Sequence, residues 1–196
     1  MALGLRPALG EQTEPVLRQA ALHAMPLLQA LPALPRRRSE AVMLLQGVAM
    51  MGGLYRALRA TGRSDAVAGE LVLQAAAAGL AGLPQALRSL YRWYFFARFG
   101  PISASIFGDG DPADFAGEAR VEGEVYAIDY TGCAIRTLLH RLELGELGPW
   151  VCRLDDVQSK ALGLGLERTG SLMTGATRCD FRFRKGGPGK PLPKPG

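Results

Sequence analysis

Three cysteines and the carboxylates near two of them are the residues of this chain whose types and spacing could do chemistry. They stand at Cys133, Cys152 and Cys179. Cys152 opens the run CRLDD, which places Asp155 and Asp156 just beyond it, and Cys179 opens CDFRFR, with Asp180 adjacent. A thiol with a carboxylate and a cation in reach can attack an electrophilic carbon, move protons or ligate a metal. Around Cys133 a helical projection puts Ile135, Leu138, Leu139 and Leu142 on an apolar face and Cys133, Arg136, Thr137 and His140 on a polar stripe. A cation such as Arg136 beside a thiol lowers its pKa. The alternative is an inert, partly exposed cysteine. His140 lies two turns on, roughly 10 Å along the axis, too far to be assumed this thiol's base.

Asp155 and Asp156 fit either of two roles: caps at the start of a helix, or acid–base carboxylates. Cys179 shares a strand face with Phe181 and Phe183 and reads as core, and Asp180 with Arg182 reads as a surface pair. The cysteine spacing offers no CxxC or HxxxH pair, so a metal site of Cys133, Cys152 and Cys179 requires the fold to gather all three. The chain has no GxSxG, P-loop or dinucleotide fingerprint, and GDGDPADF lacks the spaced ligands of an EF-hand. The sequence leaves the question of a cofactor open.

These residues must be positioned by the elements around them. The first half reads helical. The spacing predicts a helix over 16–31 kinked or divided at Pro26, another over 40–60 capped by Ser39, a third over 66–80 capped by Ser64-Asp65, and a fourth from Pro84 to Phe99. The aromatic run SLYRWYFFARF in the fourth reads as a helix packed on the core. After Gly100 the pattern changes to a loop over GDGDPADF, a strand over 119–129, a short helix from Thr131 to Gly145, and a hairpin turning at Gly175 between a strand over 164–172 and CDFRFR. The expected architecture is α+β: one domain over 1–185, helical over about 11–100 and strand-rich over about 115–185. A disordered Pro/Gly tail follows over 186–196.

Composition narrows the function classes. The 196 residues carry 48% apolar side chains and a net charge of +5, ordinary for a globular domain. The basic residues gather in the tail and in Arg36–Arg38 rather than along one element with base-reading partners, which argues against nucleic acid. The most apolar window, 66–84, contains Glu70 and Gln74 and ends at a proline, so it reads as a buried helix and not a membrane span. An odd cysteine count without a secretory leader favours free thiols and a cytoplasmic location.

The segment DYTGCAIRTLLHRLELGELGPWVCRLDDVQSKALGLGLERTGSLMTGATRCDFRF resembles the L-2-amino-thiazoline-4-carboxylic acid hydrolase family. The likeness lies in a cysteine-led helix, a glycine-rich turn, a C-x-x-D segment, an L-x-R-T strand and a G-x-x-x-C-D-F-R-F ending. It implies hydrolytic opening of a cyclic amidine-like thiazoline to a carbamoyl-cysteine, with a small molecule as substrate. On the motif positions, Cys133 or Cys152 would be nucleophile or ligand, Asp155 the acid–base group, and Arg168, with Arg136, the anchor for a substrate carboxylate. Two other readings stay open: a small-molecule-binding domain of the 4-vinyl-reductase type, which closes with a similar glycine, cysteine and aromatic strand, and a thiol redox sensor. A homo-oligomer also stays open.

Overall fold

The computed structural model describes residues 2–192. Its α+β architecture has a helical N-terminal half followed by a four-stranded antiparallel sheet. The helices are α1 (Ala2–Leu9), α2 (Thr13–Gln29), α3 (Ser39–Ala60), α4 (Asp65–Ala81), α5 (Gln85–Ala97), α6 (Phe99–Ile106), α7 (Ala134–Arg141) and α8 (Gly148–Leu162). The strands are β1 (Gly117–Glu122), β2 (Val125–Tyr130), β3 (Leu166–Glu167) and β4 (Cys179–Arg184), in the order β1-β2-β4-β3.

α3 is the central helix. By length and composition it could cross a membrane, but Leu45, Val48, Ala49, Leu54 and Leu58 are buried in the main core, which accounts for its apolarity. α2 lies along it, and Gly53 makes the close approach possible: a Cβ there would stand 2.6 Å from the Ala20 carbonyl oxygen and 2.7 Å from the Ala24 Cβ. Pro26 does not divide α2: the helix runs through it to Gln29, one turn beyond, although the missing amide forfeits the bond to Leu22.

Two expected caps part ways. Ser64 caps α4, accepting from Val67 N at 3.4 Å. Ser39 instead lies inside the first turn of α3, because the turn Arg36–Arg38 leads directly into the helix. Arg38 is buried there and reaches across to Asp114 and to the Ile106 carbonyl. The helix expected over 84–99 is α5, which stops at Ala97 because the backbone of Arg98 leaves helical geometry; a further helix that was not expected, α6, then runs through Gly100 with Pro101 in its first turn, where no amide is needed. Only Phe95, Phe96 and Phe99 of the aromatic run pack inward, edge-on to Tyr126 and Phe183.

The strand expected over 119–129 is a hairpin. Gly123, at φ 59°, turns the chain so that Glu122 pairs with Val125. β3 is shorter than expected, pairing only Leu166 with Phe183 and Glu167 with Arg182 before Arg168 leaves the sheet. The return to β4 passes through a turn at Leu172–Thr174 and Gly175, at φ 91°. One sheet face carries Tyr126, Ile128, Phe181 and Phe183 onto Phe96, Phe99, Leu162 and Leu164, forming a second core. The opposite face carries Asp129 held between Arg120 and Arg182. The segment after Gly186 is tied down as far as it is described: Lys190 N donates to Leu166 O at 2.7 Å and Leu192 N to Asp156 Oδ2 at 3.2 Å. The rest of the expected tail, 193–196, lies outside the described residues.

Candidate active site

α8 gathers the chemistry. Residues three and four apart share a helix face, so Cys152, Asp155 and Asp156 project from one side of α8, in mid-helix rather than at a cap. Against that side stands Arg168, delivered by the end of β3. Its guanidinium holds Asp155 Oδ2 at 3.0 Å and Asp156 Oδ1 at 3.2 Å and donates to the Cys152 carbonyl. The Arg168 side chain is 0% exposed and lies over the Phe181 ring, 5.0 Å from its centroid. Burial alone would disfavour its charge, but Asp155 and Asp156 outweigh that and raise its pKa.

Asp155 is different from its neighbour. Burial pushes its carboxyl up, to about 6, and the negative Asp156 adds to this, against the pull of Arg168. Protein surrounds the group, yet 38% of its side chain still meets solvent. It is therefore a carboxyl that changes protonation near neutrality and can be reached, which suits an acid–base group.

Cys133 does not sit on the polar stripe of α7, although Arg136, Thr137 and His140 do and are exposed. It is the N-cap residue, its Sγ accepting from Arg136 N at 3.4 Å, and its side chain is half-buried between the two cores. Burial pushes the thiol up to about 11, outweighing the lowering by the Arg136 and Ile135 amides; Arg136 acts through its backbone N–H and not, as expected, through its cation. Cys152 is pushed up to about 12, again chiefly by burial. Cys179 is buried on the core face as expected, its pKa also raised by burial. Asp180 does not pair with Arg182. It accepts from Thr169 N and Gly170 N at 2.9 Å and from Thr169 Oγ1 at 2.6 Å, which fixes the chain just beyond Arg168. Arg182 turns to Asp129 instead.

Two residues join the cluster that the sequence reading passed over. Ser171, fully buried, stands 3.2 Å from Cys152 Sγ and 3.9 Å from Cys179 Sγ, and accepts from Met173 N at 3.1 Å. The local S-x-M turn is its trace in the sequence. Tyr130 packs its ring among Phe107, Phe115 and Phe181, and its hydroxyl is raised by burial and further by Asp155, Cys133 and Cys179. The Asp155 charge also raises Cys133 and Cys152, as a smaller contribution than burial.

All three cysteines are free. Among the described residues no three His, Cys, Asp or Glu side chains stand close enough to hold a metal ion, so Cys133, Cys152 and Cys179 are not assembled as a ligand set. Arg136 is exposed and makes no side-chain hydrogen bond or ion pair among the described residues. Two surface hollows, one beside Arg37, Arg38 and Phe107 and one beside Gly117, Asp129 and Arg178, include none of the cysteines.

Comparison with known proteins bears on the same segment. A sequence model of the L-2-amino-thiazoline-4-carboxylic acid hydrolase family matches residues 44–183, from within α3 almost to the end of β4. No curated protein and no solved structure matches the chain. The match spans most of the chain and includes every residue of the cluster around Asp155. This chain belongs to the L-2-amino-thiazoline-4-carboxylic acid hydrolase family.

Proposed function

We propose that the protein is a hydrolase that opens a small cyclic amidine-like ring of the aminothiazoline carboxylate type, with Asp155 as its acid–base residue. The observation that carries this reading is the pairing of Asp155 with a fully buried Arg168 while its carboxyl remains partly open to solvent; burial, which pushes that carboxyl up to about 6, supports it. Family membership supports the reaction class.

Ring opening adds water across the carbon between nitrogen and sulfur. The water oxygen bonds to that carbon, the carbon–sulfur bond breaks, and the two hydrogens of water end on the ring nitrogen and the sulfur. The Asp155 carboxylate takes each proton from the oxygen and delivers it to the departing or adjacent heteroatom. The product is a carbamoyl-cysteine. Cys133 and Cys152, pushed up to about 11 and 12, are neutral thiols at pH 7, which favours water over a thiolate as the nucleophile. Arg168 has no exposed surface for a substrate. In this reading it positions Asp155, and the substrate carboxylate falls to Arg136, whose guanidinium is exposed.

The test is ring opening of 2-aminothiazoline-4-carboxylate by the purified chain, with Asp155→Asn, Cys133→Ser and Cys152→Ser alongside. Turnover that drops about 100-fold or more in Asp155→Asn but survives in both serine variants supports the water mechanism. Turnover abolished in one serine variant replaces it with covalent catalysis by that cysteine. A folded wild type without turnover sinks the hydrolase reading for this substrate.

A further inference from the structure

We infer that the C-terminal segment 186–192 is a strap that sets the geometry of the candidate active site, with Leu192 as a positioning residue acting through its backbone amide. The inference rests on the reading of Asp155 as the acid–base residue. The segment runs along the outer edge of β3. Gly186 N donates to Gly163 O at 3.3 Å, Lys190 N donates to Leu166 O at 2.7 Å, and Lys190 bridges in parallel to Glu167. Two glycines let backbone meet backbone here. A Cβ on Gly165, at φ 62°, would stand 2.9 Å from Gly187 N and Cα, and one on Gly189, at φ 70°, would stand 3.1 Å from Leu166 O. The strap then reaches α8, where Leu192 N donates to Asp156 Oδ2 at 3.2 Å. The family match stops at residue 183, so the strap lies beyond it.

Arg168 has to divide its donors between two carboxylates. Its Nη1 goes to Asp155 Oδ2, and its Nη2 goes to Asp156 Oδ1 and the Cys152 carbonyl. Asp156 is the less exposed of the pair, at 10% against 38%, and its second oxygen is taken by the Leu192 amide. Without that amide, Asp156 is free to take Arg168 in the forked arrangement that guanidinium and carboxylate favour. Nη1 is then drawn away from Asp155, which loses its orienting cation. The strap amide thereby reserves Nη1 for Asp155. Its hold is light: Pro188, Lys190 and Pro191 are exposed and Leu192 is half-buried, so backbone bonds supply most of the attachment and the strap can open locally. The other titratable groups coupled to Asp155 are Cys152 on α8, Tyr130 on β2, Cys133 before α7 and Cys179 on β4; the strap's bond goes to Asp156 alone among these acids, thiols and phenol. Losing Arg168 removes a pull that lowers the Asp155 carboxyl, which then rises from about 6.

The experiment compares the full wild-type chain with Leu192→Pro, Leu192→Ala and Gly189→Val. Leu192→Pro deletes the amide at a site that the flanking Pro191 and Pro193 already bias to extended backbone. Leu192→Ala keeps the amide and removes the side chain. Gly189→Val sets a branched side chain at positive φ against Leu166 O and releases the strap. Two readouts need no ring opening: hydrogen exchange at the Lys190 and Leu192 amides, and titration of the Asp155 carboxyl carbon by NMR. Both amides should exchange at least about tenfold more slowly in wild type than an open strap allows, with Gly189→Val as the open reference for both. The Asp155 midpoint should move up in Leu192→Pro and Gly189→Val and stay in place in Leu192→Ala. In ring opening, kcat should fall about tenfold in the two strap-releasing variants with KM within about twofold, and Leu192→Ala should match wild type. An unprotected Leu192 amide in wild type, an Asp155 midpoint that does not rise in Leu192→Pro or rises equally in Leu192→Ala, or turnover indifferent to Leu192→Pro overturns the inference. A folded wild type that opens no ring sinks the hydrolase reading alone, and exchange and titration still judge the strap.

Discussion

Arg168 and Asp155 are joined at 3.0 Å, with the guanidinium wholly buried and the carboxyl partly open to solvent. The cation is committed in two further directions, to Asp156 and to the Cys152 carbonyl. This holds α8 against the strand end that carries Arg168 and orients Asp155 without neutralising it. Removing the guanidinium would leave Asp156 without its cation and the Cys152 carbonyl without its donor.

Arg168→Met is accordingly expected to lower the unfolding free energy by about 3 kcal/mol, the range for breaking a buried ion pair by deleting one partner. Arg168→Lys should recover only part of it, because an ammonium cannot reproduce the forked geometry. Urea denaturation of the three proteins measures both. A loss below about 0.5 kcal/mol for Arg168→Met, the scale of an ordinary surface substitution, would show that the pair does not hold α8 in place.

The pH dependence follows from the upward direction at Asp155. As a base it must be ionised, so kcat/KM for ring opening should rise as pH rises through about 6, and Asp155→Asn should remove that limb. Stability runs the other way. A carboxyl raised in the folded state contributes stability below the ordinary carboxylate range and loses it as pH rises through about 6. The stability of Asp155→Asn relative to wild type should thus improve between pH 4 and pH 7. A relative stability that falls over that window would mean the carboxyl is lowered in the fold.

Buried thiols should react slowly. With Cys133 and Cys152 pushed up to about 11 and 12, iodoacetamide at pH 7 is expected to modify them roughly a hundredfold or more slowly than an unperturbed thiol. Mass spectrometry of the labelled peptides over time separates the three cysteines. Fast labelling of Cys133 would reveal a thiolate and favour covalent attack over water.

The α2–α3 contact offers a test of packing far from the chemistry. Gly53→Ala would drive a Cβ to within 2.6 Å of the Ala20 carbonyl oxygen and 2.7 Å of the Ala24 Cβ, where backbone cannot yield cheaply. The expected cost is about 2 kcal/mol, typical of overpacking. Gly47→Ala, in the same helix with open space beside it, should be neutral or stabilising through helix propensity. Thermal melts of the pair distinguish a packing effect from a general intolerance of α3 to substitution.

The local patterns of this sequence determined its element types. Leucine and alanine periodicity marks the helices, alternation in VYAID and CDFRF marks strands, and Ser64, Gly163 and Gly175 sit where caps and turns require them. Those signals are local because backbone hydrogen bonding and side-chain facing are decided within a few residues. The family likeness was legible for the same reason, in motifs confined to the segment from Asp129 to Phe183. What only the tertiary structure decided was the environment of each side chain. Cys133 reads as a cysteine beside a cation, yet the packing of two cores around it raises its pKa. Asp155 and Asp156 read as equivalent neighbours, yet one remains reachable while the other is more deeply held by Arg168 and Leu192. Ser171 between two thiols and the outward aromatic face of α5 likewise depend on which surfaces other elements cover. Desolvation and ion pairing act through space, and the residues that impose them come from parts of the chain that sequence proximity does not connect.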